Sequence, residues 1–108
     1  MATLTKVGHL AVDLDVIRAF AEKHCLQEFS IFGSALRDDF RPDSDVDVLF
    51  EVLDNSTMSI EKYLDMQDEL SAMFGHQAHL TQRHLVTNPF RRHAILTTRK
   101  KLYVRPAA

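Results

Sequence analysis

The stretch FSIFGSALRDDFRPDSDVDVLFE, residues Phe29 to Glu51, decides how this chain is read. It opens on a run from Glu28 to Phe32 that alternates as a strand does. Gly33 and Ser34 then break the run, and Ala35, Leu36 and Arg37 read as a short helical turn. Pro42 and Asp43 mark a loop. A second strand follows from Asp45 to Glu51, with Val46, Val48 and Phe50 on one face and Asp45, Asp47, Leu49 and Glu51 on the other. One face is core and the other begins acidic.

Two carboxylates at i and i+2 of a strand project to the same side about 7 Å apart. One Mg²⁺, with bonds of roughly 2.1 Å, bridges that gap after modest side-chain adjustment. A glycine and a serine where a strand gives way to a helical turn let the backbone approach a phosphate, offer a hydroxyl and aim free amides at the anion. Arg37, three residues after Ser34, is within reach of the same phosphates. Alone, a Gly-Ser pair is a common turn and two aspartates at a strand start are common solvated charges. Both at one fixed spacing arise by chance on the order of once in a thousand chains of this length.

Working outward, Leu14, Ile17, Phe20 and Ala21 recur at helical spacing behind Asp13 or Asp15 as N-cap, which predicts a helix over Asp13 to His24. A longer helix is expected from Met58 to Phe74, capped by Ser56 or Thr57 and ended by Gly75. Its core stripe is Ile60, Tyr63, Leu64, Leu70, Met73 and Phe74. A strand over Gln77 to Thr81, a helix over Asn88 to Thr97 and a strand over Leu102 to Val104 complete the pass. The first dozen residues carry no assignable pattern. The fold class is α/β (α+β), a small sheet of three or four strands flanked by helices.

With 108 residues, 45% of them hydrophobic and 26% charged, the chain is read as one ordinary domain over residues 1–108, outside the disordered class. No apolar run approaches the roughly 18 residues that span a bilayer, and Met1 to Leu10 is not built as a signal peptide, so a cytoplasmic location is expected. Cys25 is expected as a small core or near-core residue. All 15 Asp and Glu lie in residues 1–75, against 6 Lys and Arg; residues 76–108 hold no acid and 7 Lys or Arg. Such a division either serves an anionic partner or lets the two halves neutralise each other on folding. The expectation carried forward is that the Arg91 to Arg105 cations lie on or beside the acidic site.

The Gly33-Ser34, ten residues, Asp45-Val46-Asp47 pattern resembles the Gly-Ser-x10-Asp-x-Asp motif of the minimal nucleotidyltransferases (MNT) of the DNA polymerase β superfamily. The similarity extends through the long helix to NPFRRHAILTTRKKLYV, Asn88 to Val104. The resemblance implies a nucleotidyltransferase fold with a mixed sheet and Mg²⁺-dependent transfer of AMP from ATP. It also implies a hetero-oligomeric partnership with an all-helical HEPN ribonuclease toxin, in which the chain is the antitoxin and adenylylates a tyrosine of the toxin. Asp45 and Asp47 would hold the metal, and Gly33, Ser34, Arg37 and Ser44 the nucleotide. The family's third carboxylate falls on the strand after the long helix, where this chain reads Gln77-Ala78-His79-Leu80-Thr81. His79 then acts as general base or is a strand histidine without a role. A zinc site on His76, His79 and His84 lacks cysteine partners and a fourth ligand. No residues are spare for an acceptor-binding domain, so the acceptor is expected on the partner. Two other classes stay open: a pseudoenzyme that neutralises its partner by binding alone, and, least favoured, a nucleic-acid module using the basic tail with Phe90 and Tyr103.

Overall fold

A computed structural model describes residues 4–54 and 58–106 of the chain. It begins with a hairpin of β1 (Leu4–Val7) and β2 (Leu10–Asp13), in which Val7 pairs with Leu10 across Gly8-His9. Gly8 sits at φ 61, the positive value that the first central position of a two-residue turn favours. Val7, Leu10 and Val12 enter the main core, so the segment without a pattern is a folded element.

Helix α1 (Leu14–Lys23) starts at Asp13, whose Oδ1 accepts from the N–H groups of Asp15 and Val16. It buries Ile17, Phe20 and Ala21. Cys25 departs from expectation: it is exposed, with φ 56, and its N–H donates to Glu22 O at 3.2 Å. The chain leaves the helix through a left-handed residue that turns its side chain to solvent, and Leu26 takes the buried place.

Strands β3 (Leu26–Phe32), β4 (Val46–Val52), β5 (Ala78–Gln82) and β6 (Lys100–Val104) form one sheet in the order β5-β4-β3-β6. The β4–β5 pair is parallel, joined by helix α2 (Ile60–Phe74); the others are antiparallel. The sheet is therefore mixed and four-stranded. One face, with Phe29, Ile31, Val46, Val48, Phe50, Ala78 and Leu80, packs into the main core with α1, α2 and the hairpin. On the other face Phe32 and Leu49 meet Val86 and Ile95, the latter on helix α3 (Pro89–Thr98). Leu49, placed by alternation on the acidic face, is thus buried under α3.

Helix α2 is capped by Ser59, whose Oγ accepts from Lys62 N–H; Ser56 and Thr57, the expected caps, lie outside the described residues. Gly75, at φ 70, ends it. The buried row is Met66, Leu70 and Phe74, with Tyr63 and Met73 half-buried, whereas Ile60 and Leu64 are 74% and 48% exposed. Those two form their own i, i+4 row turned away from the sheet. Side chains of α2 also occupy the outer edge of β5. Ala78 N–H donates to Ser71 Oγ, Gln67 Nε2 donates to Ala78 O, and the Tyr63 hydroxyl donates to Leu80 O. An edge blocked in this way offers little to an incoming strand. No helix among the described residues is long and apolar enough to cross a membrane.

Candidate functional site

Antiparallel pairing sets Phe32, the last residue of β3, opposite Asp47 of β4. Gly33 therefore turns the chain directly over the Asp47 side chain. Its φ of 76 favours glycine, and a Cβ there would run into the Asp47 carboxylate. Ser34 follows in a turn of 3₁₀ helix (Gly33–Leu36), and its hydroxyl donates to the backbone oxygen of Asp45 at 3.1 Å. The turn is thus stitched to the start of β4 at both aspartates. Asp45 is exposed and Asp47 half-buried; β4 starts one residue later than expected, at Val46, and an i, i+2 spacing along extended backbone sends both carboxylates to the same face.

The loop between the turn and β4 is pinned at several points. Arg37 Nε donates to Asp39 Oδ1 at 3.3 Å, with both side chains exposed, so its guanidinium is held by the loop. Ser44 Oγ accepts from Arg41 N–H, and Ser44 O lies 2.9 Å from His76 Nδ1, which can only donate to it. The Phe40 and His76 rings pack in a tilted arrangement, their centroids 4.7 Å apart. From the other side the hairpin tip leans on the turn: His9 N–H donates to Ala35 O at 2.9 Å, and His9 Nε2 lies 3.2 Å from Asp38 Oδ1. Sequence reasoning missed His9 and His76 as supports of the site. The Gly8-His9 dipeptide between Val7 and Leu10 was the available signal for the first; nothing local marked the second.

His79 pairs with Asp47 in the parallel β4–β5 ladder, and its Nδ1 stands 3.3 Å from Asp47 Oδ1. A carboxylate only accepts, so Nδ1 donates in this bond and Nε2 takes no part in it. The ring is 58% exposed. His76 lies on Ser44, and His84 lines a separate cleft of about 320 Å³ with Glu51, Arg83 and Arg92. The three histidines therefore go to different places rather than to one metal.

Part of the basic half of the chain goes elsewhere than expected. Arg83, Arg99 and Lys101 converge on Glu28 at 3.1, 3.3 and 3.2 Å, and Arg83 reaches Glu51 at 3.4 Å. Glu28 is nearly buried, near the far end of β3 from Gly33, and β6 runs beside it. A buried carboxylate needs cationic partners, and Glu28 draws Arg99 and Lys101 to itself rather than to the acidic site. Tyr103 is core, which removes it as a base-stacking group, while Phe90 is 84% exposed.

A nearly buried histidine lies on the far side of the molecule. His24 Nε2 is 3.1 Å from Glu69 Oε2, which Lys23 also approaches. Burial pushes the Glu69 carboxyl up, but hydrogen bonds from His24 and Lys23 and the Lys23 charge outweigh it and hold the group below the ordinary carboxylate range.

The family model described as Polymerase beta, Nucleotidyltransferase matches residues 15–107. A protein of Methanocaldococcus jannaschii that carries the name "putative protein adenylyltransferase" is 26% identical over 69 residues, 64% of this chain and 69% of that protein. Among solved structures, a toxin-antitoxin with AMP-PNP superposes with a TM-score of 0.68 at 16% identity, over 87% of this chain and 75% of that one. A complex of tri-AMPylated Shewanella oneidensis HEPN toxin with MNT antitoxin gives 0.61 at 15% identity, over 85% and 70%. At such identities these two likenesses speak to the fold, and the hairpin Leu4–Asp13 lies outside the matched residues of the family model.

Proposed function

This chain belongs to the polymerase β nucleotidyltransferase family, and on that premise we propose that it is an MNT antitoxin that transfers AMP from ATP to a tyrosine hydroxyl of a HEPN toxin. The observation that carries the reading is the seating of Gly33 over Asp47 and of Ser34 on Asp45. A phosphate-approach turn and a carboxylate pair share one spot. The relative named as an adenylyltransferase and the complex of an AMPylated toxin with its antitoxin support the choice of donor and partner.

Asp45 and Asp47 fit a divalent cation: two hard oxygen donors on one face, one of them lodged under a turn that leaves no room for a side chain. Mg²⁺ bound there would supply charge neutralisation for the triphosphate. The chain's own groups do the rest. The turn amides bind phosphate oxygens, the Ser34 hydroxyl joins them by giving up its bond to Asp45 O, and Ser44 holds the loop that presents them. Arg37 joins them by leaving Asp39, an exposed pair worth about 0–1 kcal/mol. The acceptor oxygen bonds to the α-phosphorus as the α–β bridging bond breaks and pyrophosphate leaves. The hydroxyl proton passes to His79 Nε2, on a ring that the Asp47 hydrogen bond orients.

Intact-mass spectrometry of the cognate toxin after incubation with this protein, ATP and Mg²⁺ tests the reading. Discrete AMP increments are expected, with free tyrosine a poor acceptor. They should vanish with Asp45→Asn/Asp47→Asn; increments that persist in that double variant would refute the site. A second reading is favoured by a histidine in place of a third carboxylate: neutralisation of the partner by binding alone. Gain of transfer by His79→Asp over an inactive wild type would select it.

A further inference from the structure

Beside His79 the outer edge of β5 opens into a groove of about 290 Å³ whose walls include Met58, Ile60, Tyr63, Leu80 and Leu85. We propose that this groove seats the acceptor segment of the partner, a stretch of polypeptide in which the hydroxyl-bearing aromatic residue is flanked by aliphatic side chains. The inference rests on the adenylyl-transfer reading and names how that reaction chooses its acceptor.

Three observations carry it. The groove is continuous with the candidate site, because His79 lines it and the same ring lies 3.3 Å from Asp47. A side chain lying along the groove therefore ends at the group assigned to receive its proton. Next, the walls are mostly apolar, with Ser59, Thr81 and Gln82 among them, and the aliphatic members at the mouth are uncovered: Ile60 is 74% and Leu85 57% exposed, and Leu64 extends the Ile60 row by one helical turn. Clustered exposed aliphatics of this kind mark surfaces that meet another apolar surface. Finally, Tyr63, Gln67 and Ser71 already bond the outward backbone groups of Ala78 and Leu80. A partner strand gains few main-chain bonds here, so recognition falls to side-chain packing, which selects apolar flanks over polar ones. A volume just under the roughly 300–1,000 Å³ of small-ligand pockets suits one or two side chains rather than a second nucleotide.

The test uses the whole chain with labelled Ile and Leu methyl groups and two probes, acetyl-Leu-Tyr-Leu-amide and acetyl-Gly-Tyr-Gly-amide. The Ile60 and Leu85 methyl resonances should shift with the apolar peptide and half-saturate at on the order of tenfold lower concentration than with the glycine peptide. Ile60→Asp should erase that preference while calorimetry shows ATP·Mg²⁺ affinity unchanged. Equal affinity for both peptides, or binding that leaves the Ile60 and Leu85 methyls unmoved, overturns the groove. So does a wild-type dimer that Ile60→Asp converts to monomer, which gives the groove to a second copy. AMP transfer with unperturbed methyls leaves the reaction standing without the groove. Methyl shifts with the expected preference but no transfer to any acceptor leave the groove standing without the reaction.

Discussion

Replacing Gly33 by alanine separates two effects that a second glycine supplies separately. Gly33 and Gly75 have nearly the same backbone, φ 76 and 70, but a Cβ on Gly33 meets the Asp47 carboxylate, while one on Gly75 meets nothing within 4 Å. A non-glycine residue held in the left-handed region costs about 1–2 kcal/mol. For a domain of about 100 residues that lowers Tm by roughly 4–16 °C. Gly75→Ala should show this loss and nothing else. In Gly33→Ala the obstacle is the end of a flexible side chain, so the carboxylate swings aside and the Tm falls by a similar amount. The displaced carboxylate then fails at the site: Mg²⁺-dependent ATP affinity should drop on the order of 10–100-fold, the range found when metal ligands lose their orientation. Thermal unfolding and calorimetry on both variants in one buffer make the comparison. If Gly33→Ala loses stability as Gly75→Ala does yet binds ATP·Mg²⁺ like wild type, the turn does not sit on Asp47 and the site is misassigned.

Glu28→Ala should destabilise by about 3–5 kcal/mol, seen as a lower urea midpoint, because it strands Arg83, Arg99 and Lys101 around a site where the Arg99 side chain is only 8% exposed. Glu69→Gln should lower Tm at neutral pH by the equivalent of about 0.2–1 kcal/mol, kept small by solvent around a side chain one-third exposed. Since the folded carboxyl titrates below its unfolded value, that stabilisation is full above the ordinary carboxylate pKa and is lost as pH falls through the lowered one. The gap between wild type and variant should therefore close in acid. His79→Ala should slow AMP transfer on the order of 10²-fold as the loss of a general base does, with ATP affinity preserved; an unchanged rate would make the imidazole inert.

The strand, turn and strand around Gly33 were legible because alternation, a glycine and a proline punctuate them on a scale of five to seven residues. The nearness of His79 to the aspartates was legible through the family resemblance, whose third carboxylate falls on the strand after the long helix; the parallel register then sets it against Asp47. The four-residue strands of the hairpin were not, since so short an alternation is indistinguishable from loop. On α2, apolar residues cover more than the buried face, so Ile60 and Leu64 read as core while Met66 held the place. Cys25 failed because a helix-ending backbone, not hydrophobicity, sets its direction. Arg99 and Lys101 failed for a different reason: a charge count along the chain cannot anticipate that β6 will lie beside a buried Glu28.

That last placement has a consequence for the nucleotide. With Arg83, Arg99 and Lys101 committed to Glu28 and Glu51, Asp47 has its side-chain hydrogen bond with His79, and Arg37 is held by Asp39. A triphosphate brought beside Asp45 and Asp47 therefore meets like charge, at about 1 kcal/mol per pair of unit charges 4 Å apart in water and about 4 at an effective dielectric of 20. On the proposed reading, a divalent cation must reverse the sign of that interaction before ATP can stay. Asp45→Asn/Asp47→Asn should then move the two affinities in opposite directions: the Mg²⁺-dependent binding of ATP is lost, and the weak binding measured in EDTA rises severalfold because the repulsion is gone. Calorimetry or equilibrium dialysis with and without chelator reads both. A double variant whose metal-free affinity stays the same or falls would show that the carboxylates do not face the phosphates, whatever the turn above them does.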